Sequence, residues 1–188
     1  MPRVSEAVND EYAQRLYNAA EAFYFAGVLT TLPFDAANAA QGGYELARTA
    51  DAAIGGPQRH NQLGAPPIAN FGFSIELYIK LLLHLTGLSR VRGHDLHALF
   101  VKLKERAPDI ASRVMEKHHY ARGDCCEFLS YLKDEARAFE KWRYAHEEEF
   151  LCSSPETLFT LANAFRDAIS ELYPDLTSVF RQAHRSHA

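Results

Sequence analysis

The sequence predicts an all-α fold, a single up-and-down-like bundle of six to eight helices around a buried central helix. Three observations predict it. Apolar residues recur at helical spacing along most of the 188 residues. No stretch shows the period-two alternation of a strand. One segment, Pro67 to Gly87, is apolar on every side: turning each residue by about 100° places Phe71, Ile75, Tyr78 and Leu82 on one flank and Leu77, Leu81, Leu85 and Leu88 on the other. Such a helix is either the centre of a bundle or a membrane span. Glu76, Lys80 and His84 interrupt it at every fourth residue, and such groups are costly in lipid, so the expectation is a core helix and no membrane partner.

The chain is of one-domain length. With 47 % hydrophobic and 23 % charged residues it has the composition of an ordinary globular protein. A net charge of −4 exerts no global pull on nucleic acid, which would need a local basic patch. Three cysteines, Cys125, Cys126 and Cys152, two of them adjacent, make a poor disulfide framework and point to a reducing cytoplasm. The first residues lack the apolar run of a secretion signal. The expected organisation is one domain over 1–188, with a core over roughly 8–173, a loop over 55–67 and a tail over 181–188.

In chain order, a first helix is expected from Asn9 to about Leu32. Its apolar stripe is Tyr12, Leu16, Ala20, Phe23 and Gly27, with Glu21 facing elsewhere, and Pro33 ends it. Asp35 to Ile54 reads as an alanine-rich helix weakened by Gly42-Gly43. Gly55 to Pro67 reads as a loop, and the central helix follows between Pro-before and Gly-after signals. His94 or Asp95 can cap the next helix, which carries Leu96, Leu99, Phe100 and Leu103 on one face. Pro108 opens a weaker helix to about Lys117. Asp124 opens a long one whose stripe runs Leu129, Leu132, Ala136, Phe139, Arg143, His146. Ser153-Ser154-Pro155-Glu156 starts a helix burying Leu158, Ala162, Phe165, Ile169 and Leu172, and Asp175 to Phe180 can add a short one.

Two polar rows lie on faces otherwise directed to the core. Glu76 precedes Lys80 by four residues, the favourable order for a helical ion pair. The alternative for this row is a solvated strip with Lys80 reaching outward. The second row is Arg143 and His146, beside Tyr144 and Glu147. A histidine serves as a general base near neutral pH, and an adjacent arginine stabilises a pentavalent phosphate. That pair is the minimum kit for metal-independent RNA cleavage through the ribose 2′-hydroxyl. The structural alternative has Arg143 bridging Glu147 and Glu76, with Tyr144 and Lys80 in the same cluster.

Other chemistry is thinly represented. Glu116 and His119 make a single E-x-x-H where a di-iron bundle needs two. His94 and His97 lack a carboxylate or cysteine to complete a metal site. There is no phosphate-binding glycine loop, so no metal and no cofactor is expected.

Three short segments, F-S-I-E-L-Y-I-K-L-L-L, G-H-D-L-H-A-L-F and F-E-K-W-R-Y-A-H-E, together resemble the HEPN superfamily, which carries an E-x-x-x-K helix, a G-H-x-L turn-helix and a late helix with arginine and histidine. The resemblance covers roughly Phe71 to Glu147. It implies a helical bundle that dimerises with its arginine–histidine helices face to face, and a part in RNA cleavage by a toxin or defence effector, or in binding without cleavage. It also implies possible partners: RNA, a second copy, and an antitoxin or nucleotidyltransferase. Cleaving members place four to six residues between arginine and histidine, whereas Arg143 and His146 are separated by two. The W-R-Y-A-H-E form is more similar to the branch in which arginine and glutamate have a structural part.

Overall fold

A computed structural model of the chain describes residues 10–31, 65–88, 90–122, 128–136 and 155–177. Among them the fold is all-helical with no strand. The elements are α1 (Glu11–Thr31), α2 (Ala65–Leu85), α3 (Leu96–Arg106), α4 (Pro108–Arg122), α5 (Phe128–Asp134) and α6 (Pro155–Leu172). The alanine-rich helix expected over 35–54 lies outside the described residues.

The hub is α2. It packs along α1 and against α6 and α3, while α4 leans on α6 and α3, and α5 on α3. Phe71, Ile75, Tyr78, Ile79, Leu81, Leu82 and Leu83 are fully buried, so the helix is enclosed on all sides, as an apolar circumference in water requires. Among the described residues it is the one helix long and apolar enough to cross a membrane, and 67 % of that apolar stretch is buried against the rest of the chain.

Both ends of α2 follow from local chemistry. It begins at Ala65, so the last three residues of the expected 55–67 loop are helical. Pro66 and Pro67 fall in the first turn, where a missing N–H leaves no intrahelical bond unmade. At the other end Gly87 adopts φ +86°, its N–H donates to His84 O at 2.8 Å, and the Leu88 N–H reaches back to Leu83 O at 3.1 Å. That pair of bonds is a Schellman motif, which needs a left-handed residue at this position.

The remaining helices are seated by caps and shared carbonyls. The Asp95 carboxylate accepts the Ala98 N–H at 2.8 Å and caps α3. The Leu96 N–H, an orphan donor of the first turn, finds Ala136 O at the end of α5. The long helix expected from Asp124 through His146 is thereby interrupted: α5 closes at Asp134, and residues 135–136 form a turn that carries this carbonyl to α3. The helix opened by Pro108 runs on to Arg122, five residues past the expected end. Phe100, Phe128 and Phe165 meet at 4.9–6.2 Å between ring centroids where α3, α5 and α6 converge.

The buried face of α1 is rotated from the expected stripe. Ala13, Tyr17, Ala20 and Tyr24 are buried together with Glu21, whereas Tyr12 is largely exposed. Gly27 lets α1 approach α2. A Cβ built there would lie 2.6–2.9 Å from three ring atoms of Phe71, and that ring is itself fully buried. Alanine would add about 1 kcal/mol of helix propensity, but overpacking of this kind costs about 1–3 kcal/mol. Gly27→Ala is therefore expected to lose up to about 2 kcal/mol in urea unfolding, despite alanine being the better helix former.

Candidate functional site

The polar row of α2 is a built site. Glu76 is 4 % exposed, and its carboxylate is shared between two cationic or hydrogen-bonding neighbours. Lys80 Nζ lies 2.7 Å from Oε1, one turn along the same helix. His94 Nδ1, arriving from the connection between α2 and α3, sits 3.1 Å from each of the two oxygens. The carboxylate thus joins the E-x-x-x-K helix to the G-H-D-L turn. Its neighbours satisfy the condition for burying a charge, which is pairing with additional hydrogen bonds. Lys80 is mostly covered, while the His94 side chain is 57 % exposed. The alternative, a solvated strip, is not what forms. Of the two candidate caps, Asp95 fills the role and His94 turns instead to Glu76.

The rest of the expected cluster, Arg143, Tyr144, His146 and Glu147, lies outside the described residues, as does the expected contact of Glu76 and Lys80 with Arg143 or Glu147. Among the described residues no group of three or more His, Cys, Asp and Glu side chains is placed to hold a metal ion.

Two further polar clusters were not expected. The deeper one centres on Glu21, which is fully buried. Tyr78 on α2 donates its hydroxyl to Glu21 Oε1. Arg166 on α6 forms a fork, Nε at 2.8 and 3.1 Å from the two oxygens and Nη2 at 3.0 Å from Oε2. The Arg166 guanidinium also lies 4.8 Å from the Tyr24 ring centroid and 5.4 Å from that of Phe25, and Tyr24 donates to Asn163 Oδ1 at 2.7 Å. Burial, and then the Glu21 charge, push the Tyr78 hydroxyl far above its ordinary range. Burial works against the Arg166 charge, but the bonds to Glu21 outweigh it and raise its pKa. Three helices are therefore stitched by one carboxylate. The available signal was spacing: Glu21 stands four residues after Tyr17 and three before Tyr24, on the face those tyrosines bury.

The second cluster joins the start of α1 to the end of α2. One oxygen of Asp10 accepts the Tyr12 and Ala13 N–H groups at 2.9 and 3.0 Å and so caps α1. The other lies 2.6 Å from His84 Nε2, and the Tyr12 ring meets the imidazole edge-on. Burial alone would push the Asp10 carboxyl up. The Ala13 N–H, His84 and the Tyr12 N–H together outweigh it and hold the group below 3.8.

No family model, curated protein or solved structure matches this chain.

Removing the guanidinium strands a buried carboxylate, so Arg166→Met is expected to cost about 3–5 kcal/mol. The double variant Glu21→Gln/Arg166→Met is expected to recover part of that loss, and a double-mutant cycle by chemical denaturation measures it. The Asp10 contribution has a defined pH window. Because its folded pKa is depressed, the stabilisation is fully present above about 3.8 and is lost as pH falls through the lower folded value. The stability difference between wild type and Asp10→Asn is expected to shrink below pH 4, measured by thermal unfolding across pH 2–6.

Proposed function

We propose that this chain is an HEPN-like helical module that acts by binding and by pairing with a second copy. In this reading it is RNA-associated, works in the cytoplasm within a toxin–antitoxin or defence system, and meets an antitoxin or nucleotidyltransferase there. The observation that supports the reading is the Glu76 carboxylate. Two of the three segments that carry the resemblance, E-x-x-x-K and G-H-D-L, are distant in sequence from any catalytic need for one another, yet they meet on that one side chain through Lys80 and His94. The all-helical bundle around α2 supports it too. The short Arg143–His146 spacing favours a structural part for Arg143 and Glu147, with the bundle serving as a platform rather than as a nuclease.

Light scattering at tens of micromolar is expected to give twice the chain mass, and a structured RNA pool is expected to stay intact in the presence of a chelator. A monomeric mass would overturn the pairing. Cleavage that survives chelation but disappears in a folded His146→Gln protein would replace the platform with an endoribonuclease using Arg143 and His146, since general acid–base help is worth about 10²–10⁴-fold.

A further inference from the structure

We infer that the connection between α2 and α3, with Arg90, Arg92 and His94 directed outward, is a binding surface for the phosphate backbone of single-stranded RNA. The inference rests on the RNA association proposed above and places it on a particular surface.

The first support is a contrast among arginines. Arg15 is committed to Glu11, Arg106 to the Thr86 carbonyl, Arg113 to Glu116 and Glu171, and Arg166 to Glu21. Arg90 and Arg92 are exposed, and neither makes a side-chain hydrogen bond or ion pair with the described residues. Between them Val91 packs against the core. One apolar side chain thus anchors the segment while its two cationic neighbours remain available.

The second support is backbone conformation. Arg90 has φ +61° and is the one non-glycine residue with positive φ among those described. That conformation is strained for a residue with a Cβ. No hydrogen bond or ion pair of its side chain within the described fold offsets the strain, so the fold holds an arginine, rather than a glycine, at an exposed position.

The third support is local charge. Residues 88–94 contain no carboxylate. Two carboxylates that adjoin the segment are engaged, Glu76 by Lys80 and His94 and Asp95 by the Ala98 N–H. His94 is tethered through Nδ1, which leaves Nε2 on an exposed ring for a ligand. Guanidinium forks match phosphate oxygens geometrically as well as electrostatically. On a chain with net charge −4, attraction of a polyanion has to arise from such a local patch.

The test is fluorescence anisotropy of the full chain with a fluorescein-labelled, 20-nucleotide single-stranded RNA between 50 and 200 mM NaCl. Each phosphate contact to a single strand contributes about 0.7 to the slope of log affinity against log salt. Arg90→Gln/Arg92→Gln is therefore expected to flatten the slope by about 1.4 and to weaken binding at 100 mM salt on the order of tenfold. Arg90→Lys/Arg92→Lys is expected to restore most of the slope. Because neither side chain supports the fold, the circular dichroism and melting temperature of both variants should match wild type. An unchanged slope in the glutamine variant of an RNA-binding wild type would overturn the surface while leaving the RNA association standing. An equal loss in Arg113→Gln, an arginine of α4 paired with Glu116 and Glu171, or displacement of the RNA by poly-glutamate as readily as by unlabelled RNA, would also overturn it. A wild type that binds no RNA would overturn the association and the surface together.

Discussion

A helix apolar on every flank but for one narrow polar row cannot rest on the surface of anything dissolved in water, and the architecture follows from that constraint. The α2 circumference has to be covered on every side, which demands at least three neighbours, and α1, α6 and α3 supply them. Each fully buried leucine or phenylalanine on α2 contributes about 1.5–3 kcal/mol relative to exposure. The gain therefore grows with completeness of the enclosure, and a single missing neighbour would expose a whole flank. Gly27 belongs to the same requirement. At Gly27 a side chain is absent and the Phe71 ring takes its place.

Enclosure creates a second problem, because three carboxylates, Asp10, Glu21 and Glu76, lie where helices meet. Each is resolved by a connection distant in sequence. Glu21 on α1 is met by Tyr78 and by Arg166, 145 residues away. Glu76 is met by Lys80 on its own helix and by His94 after the chain has turned back. Asp10 serves a cap and an ion pair at once, fastening the start of α1 to the last turn of α2. These polar clusters lie at different depths along one helix, so they set its register against neighbours that apolar packing alone would hold less specifically.

The central helix was legible because its signal is local: composition, flanking prolines and a terminal glycine all lie within some twenty residues. The Glu76–Lys80 pair was legible for the same reason, being one helical turn. The face of α1 was not. Its sequence offers two plausible stripes, one with Tyr12 and Phe23 and one with Tyr17 and Tyr24. The second includes a glutamate whose burial is tolerable only because an arginine from the far end of the chain arrives to meet it, and no window around Glu21 contains that information. The turn at residues 135–136 was hidden similarly. An unbroken apolar stripe suggested one continuous helix, whereas the chain gives up a turn so that Ala136 O can accept the Leu96 N–H. The Arg143–His146 pair belongs to the part of that stripe beyond the described residues.

The span of the Glu21–Arg166 fork also bears on how the protein is made. Chains grow from the N-terminus at about 5–20 residues per second, so the carboxylate leaves the ribosome on the order of ten seconds before its guanidinium exists. During that interval α1 and α2 can pair, but the side of α2 reserved for α6 stays open to solvent, and Glu21 has only the Tyr78 hydroxyl beside it. The nascent bundle is thus most adhesive after α2 has emerged and before α6 has. Arrival of α6 closes the apolar flank and neutralises the buried charge in a single docking event, so the stickiest surface and the unpaired carboxylate disappear together.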